Sequence, residues 1–313
     1  MRIISYCIVL VTLISCAKSQ KETAQAYYTP EVNLSSGILQ RIDSFPTVNV
    51  SPRTLDVWLP EGYDDSKKYA VVYMHDGQML FDETTTWNKQ EWKVDEVASQ
   101  LMKYGSVKDF IVVAIWNISE IRWQDYFPEK AFDLLSEEAK NAMLEKAKEN
   151  NFDVSFNADA YLKFITQEVK PYIDQTYAVY TDATNTFVAG SSMGGLISMY
   201  AMFEYPEVFG GAACISTYWP GATPMENNPI PPAFFEYMKS NEVKPENQNF
   251  YFDYGTETLD AYYPQYADKV NKVYKEKGFD DSNFQNLKFD GAAHDEISWA
   301  KRLDIPLTFL LKK

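Results

Sequence analysis

Short, continuous apolar runs recur along the chain, separated by stretches with helical periodicity. Tyr69-Ala70-Val71-Val72-Tyr73-Met74, Phe110-Ile111-Val112-Val113-Ala114-Ile115-Trp116, Thr186-Phe187-Val188-Ala189 and Gly211-Ala212-Ala213-Cys214-Ile215 read as strands covered on both faces. Asn249-Phe250-Tyr251-Phe252-Asp253-Tyr254 and Leu287-Lys288-Phe289 are further buried-strand candidates. Arg53 to Pro60 alternates, which predicts a half-exposed strand. Helical patterns fill roughly 91–104, 158–173, 195–204, 261–277 and 295–311. Alternation of this kind predicts an α/β fold, a mostly parallel central sheet with helices on both faces, whose site lies at the carboxyl ends of the strands.

An additional amphipathic helix is expected within 131–152, with Leu135, Ala139, Ala142 and Met143 on one face and Glu138, Lys140, Glu145 and Lys148 opposite. It is a candidate cap for the site. At 313 residues the chain fits one α/β domain with insertions.

The first fifteen residues have a basic start at Arg2 and a short apolar run, the pattern of a secretory signal rather than a bilayer span. Leu13-Ile14-Ser15-Cys16 resembles a bacterial lipobox, so Cys16 is the expected lipidated first residue of the mature chain. Residues 16–35 are polar and read as a flexible tether, leaving 36–313 as the catalytic domain. The expected address is that of an exported bacterial lipoprotein, periplasmic or associated with the outer membrane and held to it by the lipid anchor. With Cys7 in the signal and Cys16 acylated, Cys214 has no thiol to pair with and is expected as a buried small hydrophobe. Forty-four acidic against 29 basic residues, a net charge of -15, argue against a nucleic-acid partner.

The candidate chemistry centres on Gly190-Ser191-Ser192-Met193-Gly194, which lies between a strand run and the helix-like run Leu196 to Met202. A Gly-x-Ser-x-Gly turn in that context is a nucleophile elbow, sharp enough to lift the central serine clear of the sheet edge. Ser192 is the expected nucleophile, and its hydroxyl needs a base. His294 follows the last strand candidate, in the order nucleophile, acid, histidine found in α/β-hydrolases; His75 precedes the serine and does not fit. The acid is expected in Tyr254-Gly255-Thr256-Glu257-Thr258-Leu259-Asp260, where Asp260 is favoured and Glu257 is the alternative. Backbone N–H groups of Met193 and Gln78, the latter after the turn at Gly77, are the candidate oxyanion hole. Two histidines and no Cys/His cluster call for no metal and no cofactor.

These residues, with Tyr73-Met74-His75-Asp76-Gly77-Gln78, Trp92-Lys93-Val94-Asp95 and Gly291-Ala292-Ala293-His294-Asp295-Glu296 followed by Trp299, resemble the "Putative esterase" family of α/β-hydrolases over roughly residues 35–312. That family includes enterochelin esterases, feruloyl and acetylxylan esterases and mycolyltransferases. The resemblance implies Ser192, His294 and an acid after Gly255 as the triad, with Gln78 and Met193 as the oxyanion hole. In several relatives the acid stands three residues after the equivalent of Gly255, a position held here by Thr258, which leaves Asp260 and Glu257 both open.

Arg122, Tyr126, Tyr218 and Trp219, on loops after strand candidates, are expected to line a pocket suited to a sugar or aryl ester. The implied activity is serine-dependent hydrolysis of a carboxylic ester, the substrate a small-molecule or oligosaccharide ester, with a siderophore ester as the alternative. A binding lipoprotein that keeps the hydrolase fold without turnover is the reading from another class.

Overall fold

The computed structural model describes residues 24–149, 154–222 and 224–313. The signal segment, Cys16 and residues 150–152 of the expected cap lie outside them.

Among the described residues nine strands form one sheet: β1 (Tyr27–Tyr28), β2 (Ile38–Ile42), β3 (Leu55–Leu59), β4 (Ala70–His75), β5 (Phe110–Ile115), β6 (Thr186–Ser191), β7 (Gly211–Ile215), β8 (Asn249–Gly255) and β9 (Phe284–Phe289). Their spatial order is β1-β2-β3-β5-β4-β6-β7-β8-β9. The β1–β2, β2–β3 and β3–β5 pairs are antiparallel, and every pair from β5–β4 through β8–β9 is parallel. Successive side chains of a strand point to opposite faces. Accordingly Val71 and Tyr73 of β4 join one hydrophobic cluster, with Ile111, Val113 and Ile115 of β5. Ala70, Val72 and Met74 join another, with Phe110, Val112 and Ala114. Helices cover both clusters, which is why these strands are apolar throughout.

Three elements differ from the expectations. β3 is buried along its whole length instead of half-exposed, because β2 and β5 flank it and Asp56 is fully partnered. Arg41 donates to both Asp56 oxygens at 2.7 and 2.9 Å, and the Trp116 indole N–H donates at 2.9 Å. The last helix is two, Glu296–Ala300 and Asp304–Leu311. Pro306 has no N–H and is tolerated only within a first turn, so the helix restarts ahead of it. Two helices, Glu129–Asp133 and Glu137–Glu149, stand within the expected cap. Leu135 is buried, Ala139 and Met143 are half-buried and Ala142 is exposed, since a stripe made largely of alanine has little area to bury.

The second half of the expected tether is not loose. β1 pairs with β2, the Asn33 backbone and side-chain N–H groups donate to Asp82 Oδ2, and the N–H groups of Ser35 and Ser36 donate to Asp95 Oδ2 at 2.6 and 3.2 Å. Asp82 and Asp95 are themselves buried. A polar composition reports little apolar area to bury, but it says nothing of carboxylates elsewhere that can satisfy the segment's backbone. Cys214 is buried in β7, its thiol pushed well up by desolvation.

Candidate active site

β6 ends in the elbow. Ser192 has φ 58° and ψ -121°, a strained conformation for a residue with a Cβ. Neighbouring segments hold it there: the Ser192 N–H donates to Ile215 O at 2.9 Å, and Ser192 O accepts from the N–H groups of Gly195, Leu196 and Tyr218. A Cβ on Gly190 would stand 2.8 Å from the Gly194 backbone, so the turn closes only with glycine at that position.

The end of β7 and the residues that follow it are the shared floor. The Ile215 and Tyr218 backbones grip Ser192, and the buried Ser216 Oγ donates to Asp260 Oδ2 at 2.6 Å. Asp260 has no exposed side-chain surface; its Oδ2 also accepts from the Gly255 N–H at 2.6 Å, and its Oδ1 meets His294 Nδ1 at 2.5 Å. A carboxylate only accepts, so Nδ1 carries a proton, and in the neutral imidazole Nε2 is the nitrogen with the lone pair. Glu257 is exposed, so of the two acid candidates the structure brings Asp260 to the histidine.

The imidazole is braced on several sides. The His294 N–H donates to Thr258 Oγ1, and the rings of Trp299 and Tyr263 stand edge-on to it at 5.0 and 5.9 Å. Gly255 permits the approach of the two loops, since a Cβ there would lie 2.1 Å from Ala292 O.

The loop after β4 runs beside the elbow because β4 and β6 are paired neighbours. Asp76 is left-handed at φ 58° and accepts from Arg122 through both carboxylate oxygens, at 2.7 and 2.8 Å, and from Asn117 Nδ2 at 2.7 Å. Burial opposes the Asp76 charge, but the Arg122 guanidinium outweighs it and holds the carboxyl below its ordinary range. Gln78 follows in the turn Gly77–Met79, with its Oε1 accepting from the Asn117 N–H. A Cβ on Gly77 would lie 2.7 Å from the Ala114 carbonyl carbon. Met193 opens the helix Met193–Glu204, where the first N–H groups have no intrahelical acceptor and the helix end favours negative charge.

The four expected pocket residues are mostly committed elsewhere. Arg122 is paired with Asp76, and Tyr126 is wholly buried with its ring near His75 and Tyr161. Trp219 is buried against Phe235 and Phe252. These rings fill the layer beneath the loops rather than a rim, because the aromatic surface gains more in the core than in water. Tyr218 is half-buried, its hydroxyl donating to Ala222 O. A hollow of about 540 Å³ between Pro220, Met225, Pro231, Tyr262 and Tyr266 borders the turn that carries Asp260. A larger one, about 800 Å³, lies away from this chemistry along β9.

Three supporting residues escaped the sequence reading. Ser216 accepts from the Trp299 indole N–H and from Arg302, and Arg302 also pairs with the buried Asp253, to which the Ser216 N–H donates. Burial pushes the Asp253 carboxyl up, and Arg302 pulls against it. The available signal was the lone charge of Asp253 in the otherwise uncharged strand β8; Arg302, beside Lys301 and Asp304, carried none.

A parallel sheet with a strained serine after one strand, a histidine–carboxylate pair after the last two and an early loop beside the elbow is the arrangement of an α/β-hydrolase. Solved esterases share the fold. A ferulic acid esterase from Anaeromyces mucronatus, in complex with ferulic acid, has a TM-score of 0.58 at 20% identity over 89% of this chain and 93% of its own. The enterobactin esterase from Shigella flexneri has a TM-score of 0.61 at 17% identity, over 87% of this chain and 59% of its own. The chain belongs to the "Putative esterase" family, whose model matches residues 50–305. It is 23% identical over 285 residues to an endo-1,4-beta-xylanase/feruloyl esterase of Xylanibacter ruminicola, a match covering 90% of this chain but 32% of that relative, so the chain spans about a third of its length. Family and neighbours support a carboxylic ester hydrolase.

Proposed function

We propose that the protein is a serine esterase that cleaves carboxylic esters through an acyl-enzyme, with an acylated carbohydrate or aryl ester as substrate. The observation that carries this reading is the His294–Asp260 pair docked on the same 215–218 segment that holds the Ser192 elbow.

Ser192 Oγ attacks the ester carbonyl while His294 Nε2 takes its proton. Asp260 keeps the proton on Nδ1 and stabilises the imidazolium. The N–H groups of Gln78 and Met193 receive the oxyanion, and collapse of the tetrahedral intermediate expels the alcohol with the proton from Nε2. Water then repeats the sequence on the acyl-enzyme and releases the acid. The feruloyl esterase relative and the ferulic acid and enterobactin esterase neighbours support an ester of an aromatic acid.

The test is p-nitrophenyl acetate hydrolysis together with fluorophosphonate labelling, followed by a panel of feruloylated and acetylated oligosaccharides, aryl esters and enterobactin. Turnover with the label on Ser192 is expected. A folded protein that neither turns over nor takes the label is a binding module.

The chain is further proposed to be exported and anchored through lipid on Cys16, on the strength of Leu13-Ile14-Ser15-Cys16. Two or more acyl chains make such anchoring stable where one is marginal. No helix among the described residues is long and apolar enough to cross a membrane. Intact-mass spectrometry should find an acylated Cys16 at the amino terminus, and Cys16→Ser should release active protein. An unmodified amino terminus means an ordinary secreted protein.

A further inference from the structure

The large apolar side chains exposed on the segments that follow the parallel strands include these four: Trp87 after β4, Met225 after β7, Tyr262 after β8 and Ile297, in the helix Glu296–Ala300, after β9. Trp87 is the most open of the four at 85%. An indole held in water is a large apolar area not yet used, and aromatic faces of this size dominate recognition where they are found.

The loop that presents it is tightly tied. Thr86 Oγ1 donates to Glu83 O, the Gln90 N–H donates to Thr86 Oγ1 and Asn88 Oδ1, and Lys89 Nζ donates to Thr84 O. Asp82, at the base of the loop, accepts from Asn33 and Thr84.

The same loop is clamped to the one that carries His294. Asn88 Nδ2 donates to Glu296 Oε2 at 2.8 Å. Glu296 is two residues from His294, so their Cα atoms are at most about 7.6 Å apart. Four residues past Asn88, the Trp92 ring packs at 5.2 Å on Trp299, which itself packs on His294. Trp87 is therefore borne, exposed, on a loop fixed to the one that carries His294.

Acidic groups outnumber basic ones around it: Glu83 on the Trp87 loop and Asp295 and Glu296 on the histidine loop, against Lys89, whose Nζ is tied to Thr84 O, in a chain of net charge -15. Burial first, then the charge of Glu96, pushes the Glu91 carboxyl up to about 7, so it adds little to that charge. A net acidic rim disfavours anionic ligands.

We propose that Trp87 is a stacking platform for a neutral sugar ring in the alcohol portion of the substrate, an outer subsite beside His294. This rests on the esterase reading above. In that mechanism the leaving alcohol oxygen takes its proton from His294 Nε2, so the alcohol portion of the ester lies on the His294 side. A pyranose offers a flat C–H face to an open indole, needs no enclosed pocket and brings no charge.

Binding is separated from turnover by titrating the full-length Ser192→Ala protein with xylohexaose and cellohexaose and following tryptophan fluorescence, with affinities for the Trp87→Ala variant, which lacks that reporter, measured by isothermal titration calorimetry. A saturable change with at least one of them is expected, weakened roughly tenfold or lost in Ser192→Ala/Trp87→Ala, with hexagalacturonate giving none. In the enzyme with Ser192 intact, Trp87→Ala should lower kcat/KM for a feruloylated xylo-oligosaccharide roughly tenfold relative to that for p-nitrophenyl acetate, chiefly through KM, and Trp87→Phe should restore part of the loss. No fluorescence change with either neutral sugar, or the same affinity with and without Trp87, overturns the platform. If no ester is turned over by the unmodified protein, the esterase reading fails while the titration still decides the platform.

Discussion

Two parallel strands of the same sheet end in histidine loops, and the two histidines have been given opposite environments. His75 closes β4 in the core, its Nδ1 sharing a hydrogen bond with the Tyr161 hydroxyl and its ring packed near Tyr126 and Tyr161. Its Nε2 is buried with no partner, and burial pushes its pKa down to about 4, so it stays neutral. His294 follows β9 at the sheet edge, 12% exposed, with a buried carboxylate on Nδ1 and Nε2 left for other work. The same side chain is thus a packing element at one strand end and a base candidate at the other. What separates them is an acid within reach and an opening to substrate, not the residue or its position after a strand.

The largest effect that would break this contrast is expected at the edge histidine and its serine. Ser192→Ala and His294→Ala should each lower kcat by about 10⁶, as for groups that act as one unit, while Ser191→Ala retains much of the activity. Fluorophosphonate labelling should follow the same order, and a label on Ser191 would move the nucleophile by one residue.

The carboxylate comes next. Asp260→Asn should cost roughly 10³ to 10⁴ in kcat, because the amide no longer holds the productive tautomer, and Glu257→Gln much less. A severe loss at Glu257 with a mild one at Asp260 would reverse the assignment that the 2.5 Å contact supports.

On the other side of the site, Asp76→Asn removes the charge that receives both Arg122 nitrogens and fixes the loop leading to Gln78. A displaced oxyanion donor should lower kcat by roughly 10² with little change in KM. Steady-state kinetics on a small aryl ester checks it; a loss confined to KM would mean that the Asp76–Arg122 pair serves substrate binding instead.

The smallest effect concerns His75. Its folded pKa lies below the ordinary 6.5, so between pH 6.5 and about 4 the unfolded chain binds a proton that the folded chain does not. Its contribution to stability is therefore complete above pH 6.5 and lost as pH falls toward 4. Urea unfolding at pH 7 and pH 5 should show a decrease for the wild type that exceeds that of His75→Asn by up to about 2 kcal/mol. Equal decreases would mean that His75 is protonated in the folded state.

Much of this layout was legible from the chain alone, for identifiable reasons. A parallel strand covered on both faces is apolar throughout, so β4 to β8 announce themselves, and the elbow is legible because a glycine at 190 is required by a backbone close approach. Chain order ranks His294 above His75 because the topology of the fold dictates which loops meet. The acid was ambiguous for the complementary reason: Glu257 and Asp260 lie on one short loop and have the same chemistry, and only the turn Thr258–Tyr262, with Thr258 left-handed, directs Asp260 inward.

Tertiary structure also reassigned residues whose type had suggested a pocket. Tyr126 and Trp219 are amphipathic and suit either a rim or a core, and periodicity in loops does not distinguish these. Arg122 is engaged by Asp76 rather than left for a substrate. The Ser216–Asp253–Arg302 support joins residues far apart in the chain, and its members became recognisable only once folding brought them together. Local sequence determined the strands, the sharp turn and the candidate set, since those depend on neighbours along the chain. Which candidates share a hydrogen bond, and which are buried as packing, depends on distances between loops, and those are decided only when the sheet has formed.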